Sequence, residues 1–243
     1  MDIEKLNKSD FGKNLSRDSV AFVKKLQPYL LKNKKRNKSA QTEREKYIHS
    51  VLSSFTEVTH MLESLEYCEI FMNSYTVSTA WSKKYDRNHY IRYHYENWVM
   101  NLVRLYERIL ILITDVYELE IPHKEVSYIT VATAEDLKNT DTLRLLQKVH
   151  GSMSNAQAAK NQFFHRYKHD DEKLRELAMY ELVSRNSTGD DEKSFSLIAK
   201  ILAKKYTREK IIEVKKSNKT LVEISVAMLV TLNDKYTERA KAK

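Results

Sequence analysis

The stretch AAKNQFFHRYKHDDEKLRE, residues 158–176, sets His165 and His169 four positions apart among five basic and three aromatic side chains. Two imidazoles one helical turn apart have two chemical uses: they grip a metal ion, or they move protons beside an anion. Metal sites of the zinc-peptidase kind also need a carboxylate or third imidazole as ligand and a glutamate between the histidines. Here Arg166, Tyr167 and Lys168 stand between them, and two cations at that place oppose a divalent ion by Coulomb repulsion. Phosphate suits the stretch better. Metal-free cleavage of RNA needs a group that moves the proton of a ribose 2′-hydroxyl and a cation that steadies the phosphorane as it forms. A histidine, with its ordinary pKa of about 6.5, and a neighbouring Lys or Arg are the minimal set. An ordinary amphipathic helix with imidazoles on its polar face would have the same composition, and that alternative stands beside the chemical one.

The elements that would hold these residues are helices. The chain has 243 residues, 42% of them apolar, enough for a full core as one large domain or two small ones. Its three glycines (Gly12, Gly151, Gly189) and two prolines (Pro28, Pro122) are too few for the turns of a multi-stranded fold. The expected fold class is therefore all-α, an antiparallel bundle built on two long helices at about 43–75 and 87–120. The same scarcity excludes glycine-rich phosphate cradles. A single cysteine, Cys68, excludes a disulfide framework and cysteine-rich zinc sites. With no apolar leader and no aliphatic run longer than Ile109 to Ile113, against the roughly 20 residues a membrane span needs, a cytoplasmic protein without a transmembrane segment is expected.

In the first long helix Ile48, Val51, Phe55, Val58, Leu62 and Leu65 recur at alternating spacings of three and four. The second carries two such seams. Ile91, Tyr95, Trp98, Leu102, Leu105, Ile109, Leu112, Val116 and Leu119 form one; Val99, Val103, Tyr106, Leu110, Ile113 and Tyr117 form the other. Two adjacent stripes predict a helix packed on two sides, near the centre of the bundle, with Pro122 ending it. Its remaining face is a polar ridge of Arg87, His94, Asn97, Asn101, Arg104 and Arg108, suited to line a groove. Residues 121–139 read as loop. Shorter helices are expected at about 141–149, stopped by Gly151, at 153–168 and at 171–185, followed by two final helices at about 191–205 and 208–238 that break near KSNKT. The chain divides into an N-terminal appendage and basic linker (1–40, with a short helix that Pro28 interrupts or bends), a bundle (41–186) and a C-terminal helical extension packed on it (187–243).

The net charge of +9 points to an anionic partner, nucleic acid or a membrane surface. Much of the excess sits at Lys32, Lys34, Lys35, Arg36 and Lys38, a solvated linker or a phosphate-binding arm.

A long antiparallel bundle with a late Arg, polar residue, His element resembles the HEPN superfamily, whose motif is an Arg and a His separated by four to six residues. KNQFFH, Lys160 to His165, is similar to that motif, with Lys in place of Arg, and the resemblance covers about residues 43–185. It implies Lys160 for phosphate stabilisation, Asn161 for orientation and His165 for proton transfer. His169 and Arg166 stand beside them as supporting residues. Family members that are active are metal-independent ribonucleases, many of them toxins or antiviral effectors, with a composite site in a homodimer. The resemblance thus implies RNA and a second copy as partners, with an antitoxin or other protein as a further one, and no cofactor or metal. Lys lacks the planar fork of Arg, which leaves a non-catalytic module binding RNA, nucleotide or protein as the alternative. On a straight helix Lys160 and His165 lie about 140° apart, so their convergence needs a second chain or a helix end. RNHYIRYH is a rival placement: Arg87 and His94 keep the arginine, satisfy the spacing and share a face. If the two helices pack together, Arg87, His94, Glu96 and Arg104 would border the same cleft.

Overall fold

The computed structural model describes residues 3–31, 41–74, 87–166 and 172–243, without the side chains of 25–31, 87, 88, 154–166 and 174. Among these residues there are eight α-helices and no strand. They are α1 (Glu4–Asn7), α2 (Asp10–Leu31), α3 (Glu43–Asn73), α4 (Arg87–Tyr117), α5 (Tyr128–Ala132), α6 (Asp141–Arg166), α7 (Glu172–Asn186) and α8 (Gly189–Ala242). The all-α expectation holds, and so do the two long helices. None of the described helices is long and apolar enough to cross a membrane.

The periodicity of α4 translates directly into burial. Every member of its two seams from Ile91 to Tyr117 is buried; only Leu119, beyond the helix, is partly exposed. The six apolar positions of α3 are buried as well. Pro122 does not end α4. Its last turn closes at Glu118, which takes the left-handed conformation (φ 51°) while its N–H bonds the Asp115 carbonyl (3.3 Å) and the Leu119 N–H reaches the Thr114 carbonyl (3.0 Å). This is the Schellman arrangement, usually built on glycine. Here Lys243 (2.7 Å) and Arg239 (3.9 Å) hold the Glu118 carboxylate.

The chain forms two compact units, and α3, α4, α6 and α8 each contribute to both. Unit 1 comprises residues 1–63, 104–153 and 220–243. Its centre is aromatic: Phe11 meets Tyr236 edge-on (5.4 Å) and Phe55 (5.6 Å), while Tyr47 stacks on Tyr236 (5.8 Å) and donates to the Val116 carbonyl (3.0 Å). Tyr236 in turn donates to Asp18 (3.0 Å). The unit thus brings together residues from the N-terminal, central and C-terminal parts of the chain. Periodicity marks segments along a chain, whereas Phe11 and Tyr236 are brought together only by packing. Gly12 permits the tight α1–α2 turn, because a Cβ there would lie 2.6 Å from the Leu6 carbonyl oxygen.

Unit 2 comprises residues 64–103 and 154–219. Its polar hub is Asn218, only 1% exposed, which accepts from Trp98 Nε1 (2.9 Å) and donates to the Leu65 carbonyl (3.3 Å) and Glu69 (3.0 Å). Tyr95 stacks on Trp98 (5.5 Å) and donates to Glu213 (2.8 Å), with the Lys210 ammonium over its ring.

Four further expectations are corrected. The helix at 141 does not stop at Gly151: α6 runs on to Arg166, because Gly151 has no positive φ to act as a cap and a helical glycine costs only about 1 kcal/mol. The two final helices are one, α8, unbroken at KSNKT, since no Gly or Pro interrupts it and Asn218 is anchored there. Residues 121–139 are not plain loop. They hold two 3₁₀ turns and α5, which Ser127 and Thr130 cap reciprocally. Nor does Pro28 interrupt its helix, which continues to Leu31. The basic run 32–38 lies outside the described residues.

Replacing Asn218 by Ala removes the acceptor of a buried indole N–H, a loss expected to cost about 2–4 kcal/mol. Urea unfolding measures it; a cost below about 0.5 kcal/mol would deny Asn218 its role as hub.

Candidate functional site

Three residues of the polar ridge of α4 meet α3. Arg108 pairs with Glu57 (3.5 Å), Asn101 Nδ2 donates to Cys68 Sγ (3.9 Å), and the His94 ring stacks on Phe71 (5.2 Å, 29°). The reason is that α3 carries side chains beyond its core stripe that meet the ridge. Burial pushes the Cys68 thiol up, so it stays protonated and is a poor nucleophile.

His94 is the described histidine of the ridge. Three rings surround it: Phe71 from α3, and Tyr90 (4.4 Å, edge-on) and Tyr93 (5.2 Å, edge-on) from its own helix. It is half-buried, and burial lowers its pKa below the ordinary value. A charged imidazolium loses hydration among apolar rings, so the neutral form is favoured and a proton acceptor is available at neutral pH. The linkage has a definite sign. The unfolded chain binds this proton at about pH 6.5 and the folded chain only lower. The stability contributed is fully present above about 6.5 and is lost as pH falls toward the lowered folded value.

The other sequence candidates fall as follows. Arg87 heads α4, two helical turns before His94, but its side chain lies outside the described residues. Glu96 is paired with Arg92 (2.7 Å). Arg104 is exposed and belongs to unit 1, whereas His94 belongs to unit 2. Lys160, Asn161, His165 and Arg166 lie on the last two turns of α6, and their side chains are outside the described residues, as is His169 altogether.

Sequence reasoning missed the aromatic surround. Tyr67 and Phe71 sit four apart on α3, off its core stripe, with ring centroids 6.5 Å apart, and Tyr93 lies off both seams of α4. Aromatics outside the apolar period were the available signal. A second histidine was also missed: His150 Nδ1 is 2.6 Å from Tyr106 Oη, and the Tyr128 ring lies parallel to the imidazole at 3.7 Å. Burial raises the Tyr106 pKa, so its hydroxyl keeps its proton.

Comparison with curated proteins and with solved structures gives no match. The family model described as Cthe2314-like HEPN matches residues 47–233, a range from the start of α3 to near the end of α8. With most of its length matched and an all-α fold as that family requires, the chain belongs to the HEPN superfamily.

Proposed function

We propose that this HEPN protein binds RNA and cleaves it without a metal, by attack of a ribose 2′-hydroxyl. The observation that carries the reading is the setting of His94, a half-buried imidazole packed against Phe71, Tyr90 and Tyr93 beside an exposed surface, where burial lowers its pKa. The imidazole accepts the 2′-hydroxyl proton as the O2′–P bond forms. The P–O5′ bond then breaks, and the departing 5′-oxygen takes a proton, leaving a 2′,3′-cyclic phosphate and a 5′-hydroxyl. Residue 87 shares a helix face with residue 94, about 20° apart after two turns, and Arg87 is assigned to the phosphate. Lys160, Asn161 and His165 keep the roles the resemblance implies as the competing placement. A second reading is a non-catalytic module that binds RNA, nucleotide or a partner protein, and the lysine at 160 in place of arginine favours it. A toxin or antiviral role, with an antitoxin as partner, rests on the resemblance alone.

A homodimer is part of the proposal, and α8 supports it. Asp190, Ser194, Leu197, Ile201, Lys204 and Arg208 are all exposed and follow one another at spacings of four and three, so they form one stripe. Leu197 is 59% and Ile201 58% exposed. The stripe is acidic at one end and basic at the other. An antiparallel second copy, turned about a two-fold axis at residue 199, sets Asp190 against Arg208, Ser194 against Lys204 and Leu197 against Ile201.

Two measurements follow. Total RNA incubated with the pure protein in EDTA should yield cyclic-phosphate ends, and His94→Ala should slow this about 100-fold or more. If His94→Ala cleaves at the full rate while His165→Ala is inert, the chemistry belongs to α6; if neither the wild type nor the variants cleave while a gel shift persists, the binding reading stands. In light scattering at low salt, Lys204→Glu with Arg208→Glu should be monomeric, and mixing it with Asp190→Lys, Asp191→Lys should restore a dimer. A dimer indifferent to both reversals would remove α8 from the interface.

A further inference from the structure

The aromatic side chains that remain exposed among the described residues are Tyr67 (54%), Phe71 (46%) and Tyr93 (62%), and all three belong to the group around His94. Their placement is not a by-product of surface composition. The described aromatics elsewhere in the chain are buried or half-buried, and large apolar surfaces left in water mark places where something else covers them. The group is a run of rings: Tyr67 beside Phe71, Phe71 stacked on His94, and Tyr90 and Tyr93 edge-on to the imidazole.

We infer that this run is a stacking platform for an unpaired nucleobase, so that the protein takes RNA as a single strand with one base laid on Phe71 and Tyr93 beside His94. The inference rests on the proposed RNA reading and names the substrate class for that site. Three features favour a base over the apolar face of a protein partner. The exposed side chains are mostly planar rings, with Ile70 the aliphatic exception, and every base has a π-face that such rings accept whatever its sequence. The His94 imidazole lies within the run, a hydrogen-bonding group set among the rings that suits the polar edge of a base or its sugar. The chain as a whole carries a net charge of +9, which draws a polyanion and not a neutral peptide. A duplex has no base face to offer, since its bases are stacked on one another and paired. Beside the rings α3 is acidic, with Glu66 and Glu69, and Arg92 of α4 is bound to Glu96 (2.7 Å), so the platform supplies stacking while phosphate contacts come from residues outside the run of rings.

That division of labour gives the test. Fluorescence anisotropy of the full-length protein is measured with a labelled single-stranded RNA of about 12 nucleotides and with a duplex of the same sequence, across a salt series. The wild type should bind the single strand more tightly. Phe71→Ala and Tyr93→Ala should each weaken that binding about 5- to 100-fold without altering the slope of affinity against salt, because no phosphate contact is lost. Phe71→Trp should keep the affinity, which separates stacking from a folding defect, and thermal melting checks the variants independently. Equal binding of duplex and single strand, or alanine variants that bind like the wild type, overturns the platform while leaving the RNA reading in place. No RNA binding by the wild type overturns both. Alanine variants that keep RNA binding but lose self-association would give the patch to a second copy and overturn the inference.

Discussion

Helix α4 carries two apolar stripes side by side, and both must be kept from water. Each buried aliphatic or aromatic side chain contributes about 1.5–3 kcal/mol, so fourteen residues from Ile91 to Tyr117 leave the helix no stable position except enclosed on two sides. What remains is one polar face, and α3 meets that face. Two residues of the ridge thereby join the helices, Asn101 with Cys68 and Arg108 with Glu57. Only near the start of α4 does it meet rings in place of polar partners, and there the ridge residue is His94.

The chemistry follows from that position. An imidazole in water titrates near neutrality and serves equally as acid and base. Pressed between Phe71, Tyr90 and Tyr93, it loses part of its hydration and favours the neutral form. No charged partner is needed to produce the shift; apolar surface alone does it. The rings that desolvate the histidine are among those that stay exposed, so one cluster both tunes a proton acceptor and offers planar surface to a ligand. Asn218 secures the arrangement from within unit 2, tying Trp98 of α4 to Leu65 and Glu69 of α3.

The fold was legible where a single periodicity governs, and the site much less so. The seams of α4 and the stripe of α3 could be read residue by residue, because burial of each position depends on the helix's own pattern. Local stop signals misled. Gly151 lies mid-helix without a positive φ, and the left-handed position that does end α4 is occupied by Glu118, an acid whose carboxylate meets Lys243 and Arg239 far along the chain. Asn218 looked like part of a polar break and is instead a buried hub, which no local reading can see. The RNHYIRYH segment was recognised as a rival placement from its Arg and His spacing. The rings contributed by Tyr67 and Phe71 come from another helix, and their meeting with His94 depends on packing.

The central claim is that His94 is a ring-shielded, neutral proton acceptor at an RNA-binding surface. Histidine titration by NMR, with and without a 2′-O-methyl RNA that cannot be cleaved, tests it most directly. The account predicts a His94 midpoint below about 6.5 in the free protein and a His94 resonance that shifts as RNA is added. A midpoint at or above that value, with a resonance indifferent to RNA that other signals show to be bound, would contradict it.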